Sequence, residues 1–105
     1  NIIEFPLTIF KFSKIKIPIS GGFYLRIFPY FILKLLLRRI NSKKRPFIIY
    51  FHPWETYFKT PKIRNISFRN YFITYYGINN CLKKIESLLQ DFEFEPSISI
   101  INRNL

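Results

Sequence analysis

The chain has little of what most catalytic and scaffold architectures are built from. Its 105 residues include no Ala, no Val and no Met, and only three Gly, one Cys, one His and one Asp. The lone Cys81 rules out a disulfide framework and a cysteine-built metal site. A single His and a single Asp rule out a His-rich catalytic zinc centre made from this chain alone, because such centres draw about three protein ligands. Gly21-Gly22 by itself does not make a phosphate loop, and no Ser-His-Asp grouping is supported. The most apolar stretch, Phe23 to Ile40, carries Arg26, Lys34, Arg38 and Arg39. A spanning helix needs about 20 largely uncharged residues. That stretch is therefore expected to be a helix buried in a globular body, with a membrane-surface helix as the alternative, and no transmembrane segment is expected.

Ile, Phe, Tyr, Asn and Lys are abundant, and these residues share AT-rich codons. Apolar residues make up 49% and aromatics 20%, enough to build a core from large rings if the faces close on each other. The length suits one small domain. The formal charge is +11, from 17 Lys and Arg against 6 Asp and Glu. Such a charge can mark a binder of anions. The bases are spread along the chain, however, and the densest run, Lys43-Lys44-Arg45, sits between two elements, where charge is usually solvated. Nucleic acid is therefore not an expected partner.

Local patterns predict the elements. Ile2 to Phe12 reads as extended, with Pro6 opposing helix. Lys14 to Ile19 alternates and reads as a half-buried strand, placed at an edge by Pro18. Ser20-Gly21-Gly22 breaks the pattern before a helical turn at Phe23 to Phe28. A longer helix runs from Pro29 to Ile40, where Tyr30, Lys34 and Arg38 form one outward stripe and the rest is buried. Pro46 to Phe51 is a continuous apolar run that predicts a strand buried on both faces. Pro53 to Tyr76 reads as a long irregular loop, usually functional in a compact domain. Ile78, Leu82, Ile85, Leu89 and Phe92 then share one face of an amphipathic helix, capped by Asn79 or Asn80. Phe94 to Ile101 alternates as a last strand. The predicted class is α/β, with mostly parallel strands and two main helices.

His52 follows the apolar run directly, at the predicted strand's C-terminal end, where parallel α/β folds and barrels bind ligands. A rigidly held His can act there as a general acid or base near neutral pH; a structural His at a strand end is the plainer alternative. Trp54 offers a flat apolar face, suited to a sugar ring or to a core. Glu55 is close enough to orient the imidazole or to bind substrate, unless it is a solvated loop carboxylate.

Two stretches resemble a known family. Ile17-Pro18-Ile19-Ser20-Gly21-Gly22-Phe23-Tyr24-Leu25-Arg26-Ile27-Phe28-Pro29-Tyr30 resembles the I-P-x-S-G-G-G-Y-x-R-x-x-P-Y stretch of bacterial exopolysaccharide-associated, NodB-type polysaccharide deacetylases. Phe47 to Glu55 is similar to their apolar strand followed by F-H-P-W-E. Glu4 to Thr8, Phe68 to Tyr71 and Leu88 to Phe92 align in the same order. Phe23 replaces a third Gly, and Asn70 stands where the family usually has His. The resemblance implies that residues 1–105 form the C-terminal segment of a deformed (β/α) barrel, after a metal-binding deacetylase region. It implies hydrolysis of N- or O-acetyl groups on an acetylated polysaccharide, with a divalent metal, typically zinc, held by residues outside this segment. His52 would be the general acid, and Trp54 and Glu55 substrate contacts. The competing expectation is a non-catalytic basic module for an anionic polymer or nucleic acid. The compartment, cytoplasm or cell envelope, stays open.

Overall fold

The structure is a computed structural model that describes residues 2–104. Its elements are β1 (Ile9–Phe12), β2 (Ile15–Pro18), α1 (Gly22–Ile27), α2 (Tyr30–Asn41), a 3-10 turn (Pro53–Thr56), α3 (Phe68–Tyr75), α4 (Ile78–Asp91) and α5 (Ser97–Asn104). β1 and β2 form an antiparallel hairpin, and together they are the whole sheet among the described residues. Among the described residues no helix is long and apolar enough to cross a membrane.

The α/β barrel segment with parallel strands is therefore corrected: the fold is a small helical assembly with one antiparallel hairpin. The apolar run at 46–51 is extended but makes only a single parallel bridge, Gly21 with Tyr50. Ile48 and Tyr50 bond on one side, to Thr8 Oγ1 and to Ser20 and Gly22. On the other side the peptide groups of Phe47, Ile49 and Phe51 make no hydrogen bond among the described residues. Tyr50 and Phe51 are exposed, so the run is not covered on both faces. A short apolar run does not reveal how many neighbours it has, and here that decides the outcome.

Two further elements differ from their sequence patterns. The expected last strand at Phe94 to Ile101 is instead α5, entered just after Pro96, a residue suited to a helix start. The expected loop from Pro53 to Tyr76 contains the 3-10 turn and α3. Ser67 caps α3 by accepting a bond from the Asn70 N–H at 3.2 Å.

The long helices sit where their periodicity placed them, but with rotated faces. In α4 the buried positions are Ile78, Cys81, Ile85 and Leu88, whereas Leu82 and Leu89 are exposed. That spacing of three, four and three makes a narrower stripe than the one expected. α4 starts at Gly77, with φ +78°, and not at an Asn cap. In α2 the core side is Leu33, Leu37 and Ile40, while Phe31 and Leu35 face out beside Arg38. Tyr30 and Lys34 both reach Asp91 at the end of α4, tying the two helices together. The core is formed by Ile19, Leu25, Leu33, Leu37, Ile40, Cys81, Ile85 and Leu88, with Phe10, Ile17, Phe47 and Phe92 packed around it. The chain exposes 8420 Å², against about 6,300 Å² for a folded monomer of its mass. Much apolar side-chain surface is therefore left in contact with solvent.

Candidate functional site

The two stretches that carry the family resemblance meet in space. Gly21 is extended, and a Cβ on it would lie 2.7 Å from the Tyr50 carbonyl oxygen. Its bare backbone lets the chain before α1 lie against the chain before His52. The Gly22 N–H donates to the Tyr50 carbonyl at 3.1 Å, and the Tyr50 N–H donates to the Ser20 carbonyl at 2.8 Å. Phe23, in place of a third Gly, lies inside α1 with its ring against Phe72.

One helical turn later, Arg26 is 3% exposed. Its Nε donates to Glu55 Oε1 at 3.0 Å, its Nη1 to the Tyr76 carbonyl at 2.6 Å and its Nη2 to the Ile73 carbonyl at 2.9 Å. The guanidinium also lies 5.5 Å from the Trp54 ring and 5.8 Å from the Phe23 ring. A buried charge is tolerable when it is paired and hydrogen-bonded; Arg26 is paired with Glu55, and each of its guanidinium nitrogens has an acceptor. Glu55, 1% exposed, uses its second oxygen Oε2 to accept from the His52 backbone N–H at 2.8 Å. Its carboxylate thus joins α1 to the turn that carries His52, and it is enclosed, away from solvent.

His52 is exposed, just ahead of the 3-10 turn. Its imidazole is oriented by Tyr50 and not by Glu55: Tyr50 Oη and His52 Nε2 are 2.7 Å apart. Trp54 lies nearly parallel to the imidazole, with ring centroids 6.3 Å apart and an interplanar angle of 14°. Tyr50, His52 and Trp54 therefore make a row of exposed rings, whose last member rests on the buried Arg26.

A second knot lies behind this one. The Lys84 ammonium donates to the carbonyls of Arg26 and Phe28, each at 2.6 Å, and of Leu25 at 3.3 Å. It thereby satisfies the open carbonyls at the end of α1. Burial lowers its pKa. Burial, reinforced by the Glu55 carboxylate, raises that of the Cys81 thiol, which is inert where it sits. A cleft of about 390 Å³ opens beside Arg26, Lys84, Tyr76 and Lys62, but neither His52 nor Trp54 lines it.

The structure brings His52 and Trp54 together at the surface and places Glu55 beneath them. Sequence reasoning missed Arg26, Tyr50, Lys84 and Gly77. Arg26 did leave a signal, as the only charged residue between Lys16 and Lys34. An isolated cation in an apolar stretch points to a buried pair.

Among the described residues no group of three His, Cys, Asp or Glu side chains could hold a metal ion. No curated protein and no solved structure matches the chain. The model of one family, described as "Domain of unknown function (DUF3473)", matches residues 1–102 and so takes in both motifs that meet at Arg26 and Glu55; the chain belongs to that family.

Proposed function

We propose that this chain works as the C-terminal part of a metal-dependent polysaccharide deacetylase, in which His52 is the general acid. One observation carries the reading. His52 is the only histidine, and its ring is presented to solvent, held by Tyr50 Oη at 2.7 Å and flanked by the parallel face of Trp54. An aromatic face beside a proton donor is what a sugar-processing site needs: stacking orients the ring, and the acid protonates the leaving nitrogen or oxygen as the acetyl group departs. The Tyr50 contact fixes the orientation of the ring that would carry that proton. Trp54 is the residue assigned to substrate contact. Glu55 is assigned a positioning role, because its buried carboxylate holds the His52 backbone. The metal chemistry of such an enzyme belongs to residues outside this chain.

The test is His52→Ala in the full-length enzyme, assayed by acetate release from an acetylated polysaccharide. General acid catalysis is typically worth about 10²–10⁴-fold. The expected result is a kcat loss in that range with the metal content unchanged. Turnover close to wild type would make His52 a structural residue. Trp54 is the only Trp, so its fluorescence reports binding of acetylated oligosaccharides to the chain without any turnover.

A further inference from the structure

The β1–β2 hairpin carries a pattern that the site does not use. Its register pairs Phe10 with Ile17, Lys11 with Lys16, and Phe12 with Ile15, closed by the two-residue turn Ser13-Lys14. Alternation along each strand puts Phe10, Ile17, Phe12 and Ile15 on one face and Lys11 and Lys16 on the other. The base of the apolar face is anchored: Phe10 and Ile17 pack on the core, and the Thr8 N–H donates to Ser20 Oγ at 3.0 Å. The tip of the same face overhangs. Phe12 is 68% exposed and Ile15 is 61% exposed.

Two features at this tip are unfavourable in water. Large apolar side chains stand free, and two lysines lie directly opposite each other, an arrangement that repels. No carboxylate is close in sequence to offset the charge, because there is no Asp or Glu between Phe5 and Trp54. A partner that removes both costs must be anionic and must also accept apolar groups.

We propose that the hairpin tip seats on an anionic lipid surface. Phe12 and Ile15 enter the headgroup–acyl boundary, while Lys11, Lys14 and Lys16 meet lipid phosphates. Long lysine stems can lie along the apolar boundary with their ammonium groups in water. Basic side chains combined with exposed apolar ones are the recognised composition of membrane-surface elements. A protein partner fits less well, since protein interfaces are depleted in Lys. A soluble polyanion would answer the lysines but would leave Phe12 and Ile15 without a role. This assignment does not depend on the deacetylase reading.

The experiment is co-sedimentation of the full chain with vesicles of phosphatidylcholine alone, or of phosphatidylcholine with phosphatidylglycerol. Binding is expected only to the anionic vesicles, and it should weaken as salt is raised. Each Lys is worth roughly fivefold in affinity near such a surface. Lys14→Gln should therefore weaken binding about fivefold, and Lys11→Gln, Lys14→Gln and Lys16→Gln together about a hundredfold. Phe12→Ser combined with Ile15→Ser should weaken it by about tenfold or more. All these positions are exposed, so circular dichroism of the variants should match that of the wild type. Three results would overturn the proposal: no binding of the wild type to anionic vesicles, unchanged binding of the Lys variants, or full retention by the Phe12→Ser, Ile15→Ser variant. In the last case, complete competition by soluble polyglutamate would assign the tip to a polyanion.

Discussion

Arg26 and Lys14 carry the same charge and are handled in opposite ways. Around Arg26 each guanidinium nitrogen has an acceptor, one carboxylate and two carbonyls, and two aromatic rings flank the group. Lys84 beside it answers three more carbonyls. At the hairpin tip, Lys11 and Lys16 face each other and Lys14 sits in the turn, all exposed. The interior cations are fixed by geometry and would be costly to disturb. The tip cations have no side-chain partner among the described residues, so their identity should hardly matter to folding. A net charge of +11 hides this division, and only placement separates structural cations from those free to meet a partner.

The sharpest way to break the comparison is Arg26→Ala. It leaves the Glu55 carboxylate buried without its cation and two carbonyls without donors. Removing one member of a buried pair costs about 3–5 kcal/mol. A matching fall in unfolding free energy is expected from urea denaturation, and an unchanged midpoint would mean that the knot contributes no stability.

Gly77→Ala should come next. Gly77 adopts φ +78°, and a Cβ there would lie 2.8 Å from the Arg26 carbonyl oxygen. A non-Gly residue in that region costs about 1–3 kcal/mol, and here the crowding falls on the backbone of the same knot. Thermal melts of Gly77→Ala should show that loss, with α4 still formed by circular dichroism.

Tyr30 tests an intermediate case, a partly exposed pair between α2 and α4. Burial and the bond to Asp91 raise its pKa from 10.0 to about 12. A folded-state pKa above the unfolded one means that the folded chain holds the proton longer. The stabilisation is complete below pH 10 and is lost as pH rises toward 12. The difference in stability between wild type and Tyr30→Phe should therefore shrink over that window. A constant difference from pH 9 to pH 12, roughly the range spanned by this shift, would show that the bond to Asp91 does not form.

The smallest effect is expected at the tip. Lys16→Glu replaces a repulsive cross-strand pair with an attractive one, and such pairs are worth roughly 0.2–1 kcal/mol. A gain in stability of that size is expected from chemical denaturation. A clear loss would mean that Lys16 has an internal role.

The parts of the fold that were legible in the sequence are those set by local periodicity. Periodicity located α2 and α4 because each is long enough to show its stripe, and the alternation from Lys14 onward located β2. α3 and α5 went unseen because eight residues give little more than two turns, and because Ser97 to Ile100 alternates as a strand would. The run at 46–51 was misread for a different reason. Its composition reports apolarity, whereas strand pairing depends on neighbours that a single segment does not encode. At the site, His52 and Trp54 stood out by residue type and adjacency. The partnership of Arg26 with Glu55 spans 29 positions, and nothing local announces it. Tyr50 was hidden by its place in an apolar run, where it read as core.

The half-paired segment from Phe47 to Phe51 bears on how this chain must be handled. Its free row of peptide groups at Phe47, Ile49 and Phe51 is a template onto which another extended chain can add. Five consecutive β-favouring residues without charge match the composition of aggregation-prone stretches. The sequence brackets that hazard with Lys43, Lys44, Arg45 and Pro46 on one side and Pro53 on the other. Charges and prolines of this kind act as gatekeepers, stopping edge-to-edge growth through repulsion and missing donors. The basic run at the end of α2, whose side chains have no partner among the described residues, thus guards the chain against copies of itself.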